Sequence, residues 1–241
     1  MRITKDELAL INGLTTRDFT EDELFTFTVT LCDNDVDRDH EAFSVKALEK
    51  LAELFMGKTG IFDHSASAEN QSARIYKTWV QTVPGKTTRT GEGYVELKAK
   101  AYMVQSKTNK DLILDIEGGI KKEVSVGCMA RAKTCGICGA NLKKKNCVHT
   151  MGQSYGGKLA YAILDNIGDA YEWSFVAVPA QPGAGVTKRY GGDAVSEVVD
   201  VAVDKRSTAP RNSAGTNPAG KSLLYPRGLT AADGDNGCYL I

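Results

Sequence analysis

The chain has 241 residues, and its 30 basic and 30 acidic side chains give a formal net charge of zero. This balance excludes a global electrostatic field that would attract nucleic acid or an anionic membrane surface. The sequence has no run of about 18 apolar residues, which excludes a membrane-spanning helix, and its N-terminal segment lacks the apolar region of a secretory signal. We therefore expect a protein of the reducing cytoplasm with one sizeable core.

The first predicted element is a strand at residues 25–31, where phenylalanine, valine and leucine alternate with threonine. A period of two is typical of a strand that buries one face. Ser44 then has the residue type of a helix N-cap, and apolar residues follow it at helical spacing until Gly57. The sequence therefore predicts a helix between these two residues.

The middle of the chain contains a predicted hairpin of two strands. Residues 74–83 and 95–103 both have the alternation of half-buried strands, and residues 84–93 between them are rich in turn formers. Asn109 is the predicted cap of a short helix that ends at Gly118.

Three more strands are predicted near residues 123–129, 159–164 and 170–178. Side chains alternate between the two faces of a strand, so Ser125 and Gly127 share one face of the first of these strands. Many strands with a few short helices predict an α+β fold that is mostly β, or a β-barrel.

The composition of the chain changes near its end. Residues 1–190 are predicted to form one domain and residues 191–241 a largely disordered tail, because residues 205–220 are rich in serine, threonine, proline, asparagine and glycine. Within the domain, residues 130–158 are predicted to be an inserted loop rich in cysteine, lysine and glycine. A loop of this size needs a metal to hold its shape, because it is too small to form a core.

Four of the six cysteines lie between Cys128 and Cys147, which favours a metal site over a disulfide framework in a reducing compartment. Cys135 and Cys138 form a C-x-x-C-G knuckle, and Cys147 lies two residues before His149 on a predicted extended segment. The sequence therefore predicts a structural, tetrahedral Zn²⁺ site formed by Cys135, Cys138, Cys147 and His149. Cys128 is the alternative fourth ligand if His149 points away.

The order of four short motifs resembles the tailed-phage prohead (capsid maturation) protease family. The motifs are Val-Asp-Arg-Asp at 36–39, Phe-Asp-His at 62–64, Lys-Glu-Val-Ser-Val-Gly at 122–127 and Tyr-Glu-Trp-Ser-Phe-Val-Ala-Val-Pro-Ala at 171–180. The resemblance extends from about residue 24 to 188. It implies the fold of the distantly related herpesvirus assembly proteases, a small β-barrel with flanking helices.

The resemblance also implies roles for individual residues. Ser125 resembles the nucleophile, His64 the general base and Glu172 the third member of a catalytic triad. Three other carboxylates compete for the third role: Asp63, Asp165 and Asp169. Backbone N–H groups at Gly127 or in residues 183–185 are candidate oxyanion donors.

The implied activity is that of a serine endopeptidase, a hydrolase that cleaves the phage major capsid protein, the scaffold protein and itself. It would act in the host cytoplasm, inside the procapsid, and a homo-oligomer is compatible with the resemblance. No membrane is expected as a partner, and nucleic acid is not favoured because basic residues cluster only in the cysteine-rich loop. Two alternatives stay open: a non-catalytic phage-morphogenesis or zinc-binding interaction module, and a DNA-binding zinc regulator.

Overall fold

The computed structural model describes residues 3–144 and 146–187. The predicted tail, residues 191–241, lies outside the described residues. The described part contains three α-helices and ten strands, which confirms the predicted α+β class with a majority of strands. In the described ranges, no helix has both the length and the apolar character needed to cross a membrane.

The elements follow one another in an order that starts with a helix and ends with a short strand. The helices are α1 (Lys5–Asn12), α2 (Val45–Phe55) and α3 (Lys110–Glu117). The strands of the first half are β1 (Leu24–Asp33), β2 (Glu41–Phe43), β3 (Thr59–Phe62), β4 (Ala73–Thr87) and β5 (Gly93–Val104). Those of the second half are β6 (Val124–Cys135), β7 (Ser154–Tyr155), β8 (Lys158–Leu159), β9 (Ala162–Phe175) and β10 (Gly185–Val186).

Eight strands form one mixed sheet, in the order β10-β1-β5-β4-β3-β9-β2, with β6 paired to β9 outside this path. Strand β9 is the centre of the arrangement, because it is antiparallel to β6 along one edge and parallel to β2 and β3 along the other. The predicted closure into a small β-barrel is wrong for the described residues. Only the isolated bridge between Glu123 and Gly185 connects β10 to the start of β6, because the two residues of β10 are too few to continue the ladder.

Helix α2 packs on the sheet, and its sequence provides both an N-cap residue and one apolar face. The Ser44 side chain accepts a hydrogen bond from the Ala47 N–H at 3.0 Å, as predicted for an N-cap. The helix buries five side chains against β9 and β4: Ala47, Leu48, Leu51, Ala52 and Phe55. Burial of a leucine or phenylalanine of this kind stabilises a fold by about 1.5–3 kcal/mol.

Strands β6 and β9 form one long antiparallel pair, whereas the sequence predicts two separate strands for the β9 region. Asn166 has a φ of 51°, and the β6–β9 register shifts between Met129 and Ala130, so an irregularity bends β9 without ending it. The predicted insertion at 130–158 accordingly begins inside β6. Ser125 and Cys135 lie near opposite ends of β6, about 30 Å apart at the usual rise of a strand.

Candidate active site and metal centre

His64 lies in a tight turn directly after β3. The Ser65 N–H donates a hydrogen bond to the Phe62 carbonyl at 3.0 Å, and the two central residues, Asp63 and His64, have φ values of 50° and 51°. Positive φ at both central positions is the pattern of a type I′ turn. In non-glycine residues it costs about 1–3 kcal/mol each and persists only where neighbouring groups hold it. The conformation of His64 therefore depends on its surroundings.

The His64 ring contacts a carboxylate from the neighbouring strand. His64 Nδ1 lies 2.7 Å from Oε1 of Glu172 on β9, and both side chains are mostly buried, with 22% and 12% of their surfaces exposed. An ionised carboxylate can only accept a hydrogen bond, so in the neutral imidazole Nδ1 carries the proton and Nε2 is the acceptor. Among the described residues, Nε2 is buried without a hydrogen-bond partner.

The second carboxylate oxygen of Glu172 has its own partner. The Ser174 hydroxyl donates to Glu172 Oε2 at 2.7 Å and accepts a hydrogen bond from the backbone N–H of His64 at 3.1 Å. Ser174 is fully buried, with 0% of its surface exposed. One hydroxyl thus connects the carboxylate to the backbone of the histidine that the carboxylate orients.

Ser125 lies across the β6–β9 ladder from Ser174. Residues that face each other in an antiparallel pair point to the same side of the sheet, with β-carbons about 4.5–5.5 Å apart. Ser125 is therefore a neighbour of the Ser174, Glu172 and His64 group, although only 4% of it is exposed. The hydrogen bond between Ser125 and His64 Nε2 that a triad requires is not formed, and such contacts are often long in unliganded enzymes.

Gly127 explains why the Glu172 side chain fits at this point. The two residues face each other in the ladder, and a β-carbon built on Gly127 would overlap Glu172 Oε1. A side chain at position 127 would therefore occupy the space of the oxygen that contacts His64. The oxyanion donors at Gly127 or in residues 183–185 stay a prediction.

The three competing carboxylates have other surroundings. Asp165 accepts a hydrogen bond from the Asn166 N–H at 2.7 Å, and Asp169 lies 3.9 Å from the Lys58 amine. Asp63 is exposed. Glu172 is thus the carboxylate that the structure brings to the His64 ring.

The four predicted metal ligands form a cluster. One ligand atom from each of Cys135, Cys138, Cys147 and His149 lies within 4.8 Å of all the others. His149 Nδ1 is 3.7 Å from Cys135 Sγ and 3.6 Å from Cys147 Sγ, and Cys138 Sγ is 3.6 Å from Cys147 Sγ. Three thiols and one imidazole at this spacing could hold a metal ion.

The backbone around the cluster has the form of a knuckle. Backbone N–H groups of Ile137 and Cys138 donate to the Cys135 sulfur, and the Gly139 N–H donates to the Cys135 carbonyl at 2.8 Å. Gly139 has a φ of 69°, which glycine adopts without steric cost. The tight turn after the second cysteine therefore depends on this glycine.

Cys128, the alternative ligand, lies elsewhere. It is buried in the main core and close enough to Cys32 to raise the pKa of that thiol, an effect that adds to the larger one of burial. Two lysines of the basic loop are also engaged, because the Lys133 amine pairs with Glu41 and the Lys143 amine lies 3.4 Å from the Ala130 carbonyl. The Glu41 carboxylate therefore offsets the positive charge of Lys133, whereas Lys143 keeps its charge.

Comparison with known proteins finds no matching protein family, no matching curated protein and no matching solved structure. The functional argument therefore rests on the residues of this chain.

Sequence reasoning did not identify two side chains that contact the His64 turn, Ser174 and Asn70. A signal existed for Ser174, because it lies two residues after Glu172 and so faces the same side of the strand. The local sequence contains no such signal for Asn70.

Proposed function

We propose that the protein is a serine endopeptidase with Ser125 as nucleophile, His64 as general base and Glu172 as the group that orients the base. The observation that carries this proposal is the His64 Nδ1–Glu172 Oε1 hydrogen bond of 2.7 Å beside a free Nε2. An imidazole fixed by a carboxylate at one nitrogen and free at the other, next to a strand serine, is the arrangement that activates a serine hydroxyl.

In the proposed reaction, Ser125 Oγ attacks the carbonyl carbon of the scissile peptide while His64 Nε2 takes the hydroxyl proton. Glu172 stabilises the imidazolium that forms. The imidazolium then gives the proton to the leaving amine, and the C–N bond breaks to leave an acyl ester on Ser125. Water, deprotonated by His64, then attacks the ester carbonyl. The bond between this carbon and Ser125 Oγ breaks, His64 gives the proton to Oγ, and the new carboxyl end is released.

The proposal requires local opening of the site, because Ser125 is 4% exposed and His64 Nε2 is buried. Residues 65–69 follow His64 directly and are all exposed. Segments with few buried contacts open at the lowest free-energy cost. We assign the opening to this segment.

The proposed substrates are the phage major capsid protein, the scaffold protein and the chain itself, cleaved inside the procapsid in the host cytoplasm. This assignment rests on the resemblance of the four motifs to the prohead proteases. Association into a homo-oligomer and the herpesvirus-protease-like relationship of the fold belong to the same proposal.

The test is covalent labelling with a fluorophosphonate, which reacts with activated serines and needs no knowledge of the natural substrate. We expect intact mass to show one adduct per chain, mapped to Ser125, and no adduct in Ser125→Ala. Ser154→Ala, at an exposed serine of β7, is the control and should label like the wild type. In parallel, only active protein should lose a terminal fragment over time near neutral pH. No adduct in folded wild type would contradict the proposal.

We also propose that the four-residue cluster binds Zn²⁺ and that the ion is structural. Thiolate and imidazole ligands in a compact loop suit tetrahedral zinc, and a separation of about 30 Å along β6 from Ser125 supports a role outside the proposed reaction. Elemental analysis of reduced protein should find one zinc per chain, lost in Cys135→Ser and kept in Cys128→Ala. Zinc-free wild type, or loss of zinc in Cys128→Ala alone, would contradict this assignment.

The second candidate is a non-catalytic morphogenesis or zinc-binding interaction module. Two observations favour it: Ser125 is almost completely buried, and no described group is hydrogen-bonded to His64 Nε2. In that case the wild type stays unlabelled, does not process itself and still binds zinc.

A further inference from the structure

The turn that carries His64 is held from two sides. Its residues 62–65 have the type I′ pattern with two non-glycine residues at positive φ, a conformation that the chain does not favour by itself. Asp63 donates its N–H to the Phe175 carbonyl at 3.1 Å. On the side of β9, the Phe175 carbonyl therefore accepts a hydrogen bond from the N–H of Asp63, and the Ser174 hydroxyl accepts one from the N–H of His64.

Ser174 makes two contacts that have different effects. The hydrogen bond from the His64 N–H at 3.1 Å fixes the backbone of the base. The hydrogen bond to Glu172 Oε2 at 2.7 Å fixes the carboxylate, so that Oε1 stays directed at the ring. Both partners of the His64–Glu172 pair are thus aligned by a single buried hydroxyl.

Asn70 holds the opposite side of the same turn. Its Nδ2 group donates to the Phe62 carbonyl at 2.9 Å and to the Ser65 carbonyl at 2.8 Å. These are the first and last residues of the turn, so one amide group spans its two ends. Asn70 closes the short 3-10 helix Ala68–Asn70 and is half-buried.

We propose that Ser174 and Asn70 are positioning residues, which hold the His64 imidazole in the single tautomer and orientation that leaves Nε2 free for Ser125. This inference rests on the proposed function for its chemical meaning. Neither residue needs to touch a substrate. Ser174 acts through Glu172 and the His64 backbone, and Asn70 acts through the ends of the turn.

The first experiment observes the imidazole directly and does not require activity. In ¹⁵N-labelled wild type, at a pH where the ring is neutral, NMR should show one His64 tautomer with the proton on Nδ1. Ser174→Ala and Asn70→Asp should show both tautomers. The Asn70→Asp change keeps the shape but replaces the donor with an oxygen that repels the Phe62 carbonyl. Ser67→Ala is the control, because this nearby serine is exposed and its side chain caps no helix.

The second experiment measures the rate of fluorophosphonate labelling in the same variants. We expect labelling to slow by roughly 10- to 100-fold in Ser174→Ala, which loses a hydrogen bond to the charged Glu172 carboxylate, and by a smaller factor in Asn70→Asp, because the partners of Asn70 are neutral carbonyls. Ser174→Thr, which keeps the hydroxyl, should recover part of the loss. Folding of each variant is checked by its amide NMR spectrum before the rates are compared.

The two proposals fail in different ways. If folded wild type is never labelled, the protease proposal is overturned, and the positioning roles are then judged by the tautomer alone. If either Ser174→Ala or Asn70→Asp keeps the single Nδ1 tautomer and the wild-type labelling rate, the positioning role of that residue is overturned. This conclusion holds whether or not the wild type is labelled.

Discussion

Gly127 lies directly opposite Glu172, and the space that a side chain on Gly127 would fill is occupied by Glu172 Oε1. This oxygen is the one that contacts His64 Nδ1 at 2.7 Å. The absence of a side chain at position 127 is therefore a condition for the histidine–carboxylate pair. It also relates the Ser-x-Gly pattern of β6 to the position of the glutamate on β9.

Gly127→Ala should separate the carboxylate from the imidazole. The added methyl group overlaps Oε1, the carboxylate oxygen that contacts His64, while Ser174 holds the other oxygen, Oε2. We therefore expect a loss of about 1–3 kcal/mol in unfolding free energy and at least about tenfold slower labelling of Ser125. Gly93→Ala is the matched control, because a β-carbon on this strand glycine meets no atom within 4 Å. Equal labelling rates in Gly127→Ala and Gly93→Ala would show that the His64–Glu172 pair tolerates a displaced carboxylate.

Glu172→Gln tests the charge of the third residue without changing its size. The amide cannot stabilise an imidazolium as a carboxylate does, and it can favour the wrong tautomer, so labelling should slow by roughly 10²- to 10⁴-fold. Asp169→Asn changes a competing carboxylate on the same strand, which lies 3.9 Å from Lys58, and should leave the rate unchanged. A larger loss in Asp169→Asn than in Glu172→Gln would reassign the role.

Much of the fold follows from local patterns. The alternation in β1 and the capped, amphipathic α2 predicted both elements because each buries a regular face. Helix α1 was not predicted: its apolar pattern is weak because Ile11 is its only buried residue, although Thr4 and Glu7 form a capping box. Strand β9 was predicted as two strands because residues 165–169 include the turn formers aspartate, asparagine and glycine. In the structure, pairing with β6 along its whole length keeps the strand continuous.

The two sites differ in how far the sequence could predict them. The four members of the Cys/His cluster lie within residues 135–149, so their spacing predicted the group, with Cys128 left open as an alternative to His149. The His64–Glu172 contact joins residues 108 positions apart, and it depends on the parallel register that sets Phe62 beside Phe175. Such a register is a property of the folded sheet, and only the family resemblance indicated the pair in advance.

Removal of the proposed zinc ion should unfold the loop and spare the proposed active site. A zinc chelator should expose residues 136–161 to limited proteolysis, because this connection has no large core of its own. Labelling of Ser125 should stay within about twofold, since the cluster lies about 30 Å away along β6. Mass spectrometry of the fragments and of the adduct measures both effects in one sample. Loss of labelling before any cleavage of the loop would indicate that the two sites are coupled.

Asp37 should make the protein less stable as the pH rises. Burial raises the pKa of this carboxyl to about 7 from an ordinary value of 3.8; the Glu41 charge adds to this, and the Glu41 N–H opposes it. The folded protein therefore binds more protons than the unfolded chain between these values, so the free energy of unfolding should fall from about pH 4 to about pH 7 and then level off. In Asp37→Asn, the free energy of unfolding should fall less with pH, so the variant should be most stabilised relative to wild type at pH 8. Urea unfolding at pH 5 and pH 8 measures this difference. The control is Asp18→Asn, at an exposed aspartate, which should keep the wild-type pH dependence. If Asp37→Asn also keeps the wild-type fall in unfolding free energy between pH 5 and pH 8, Asp37 is not its source.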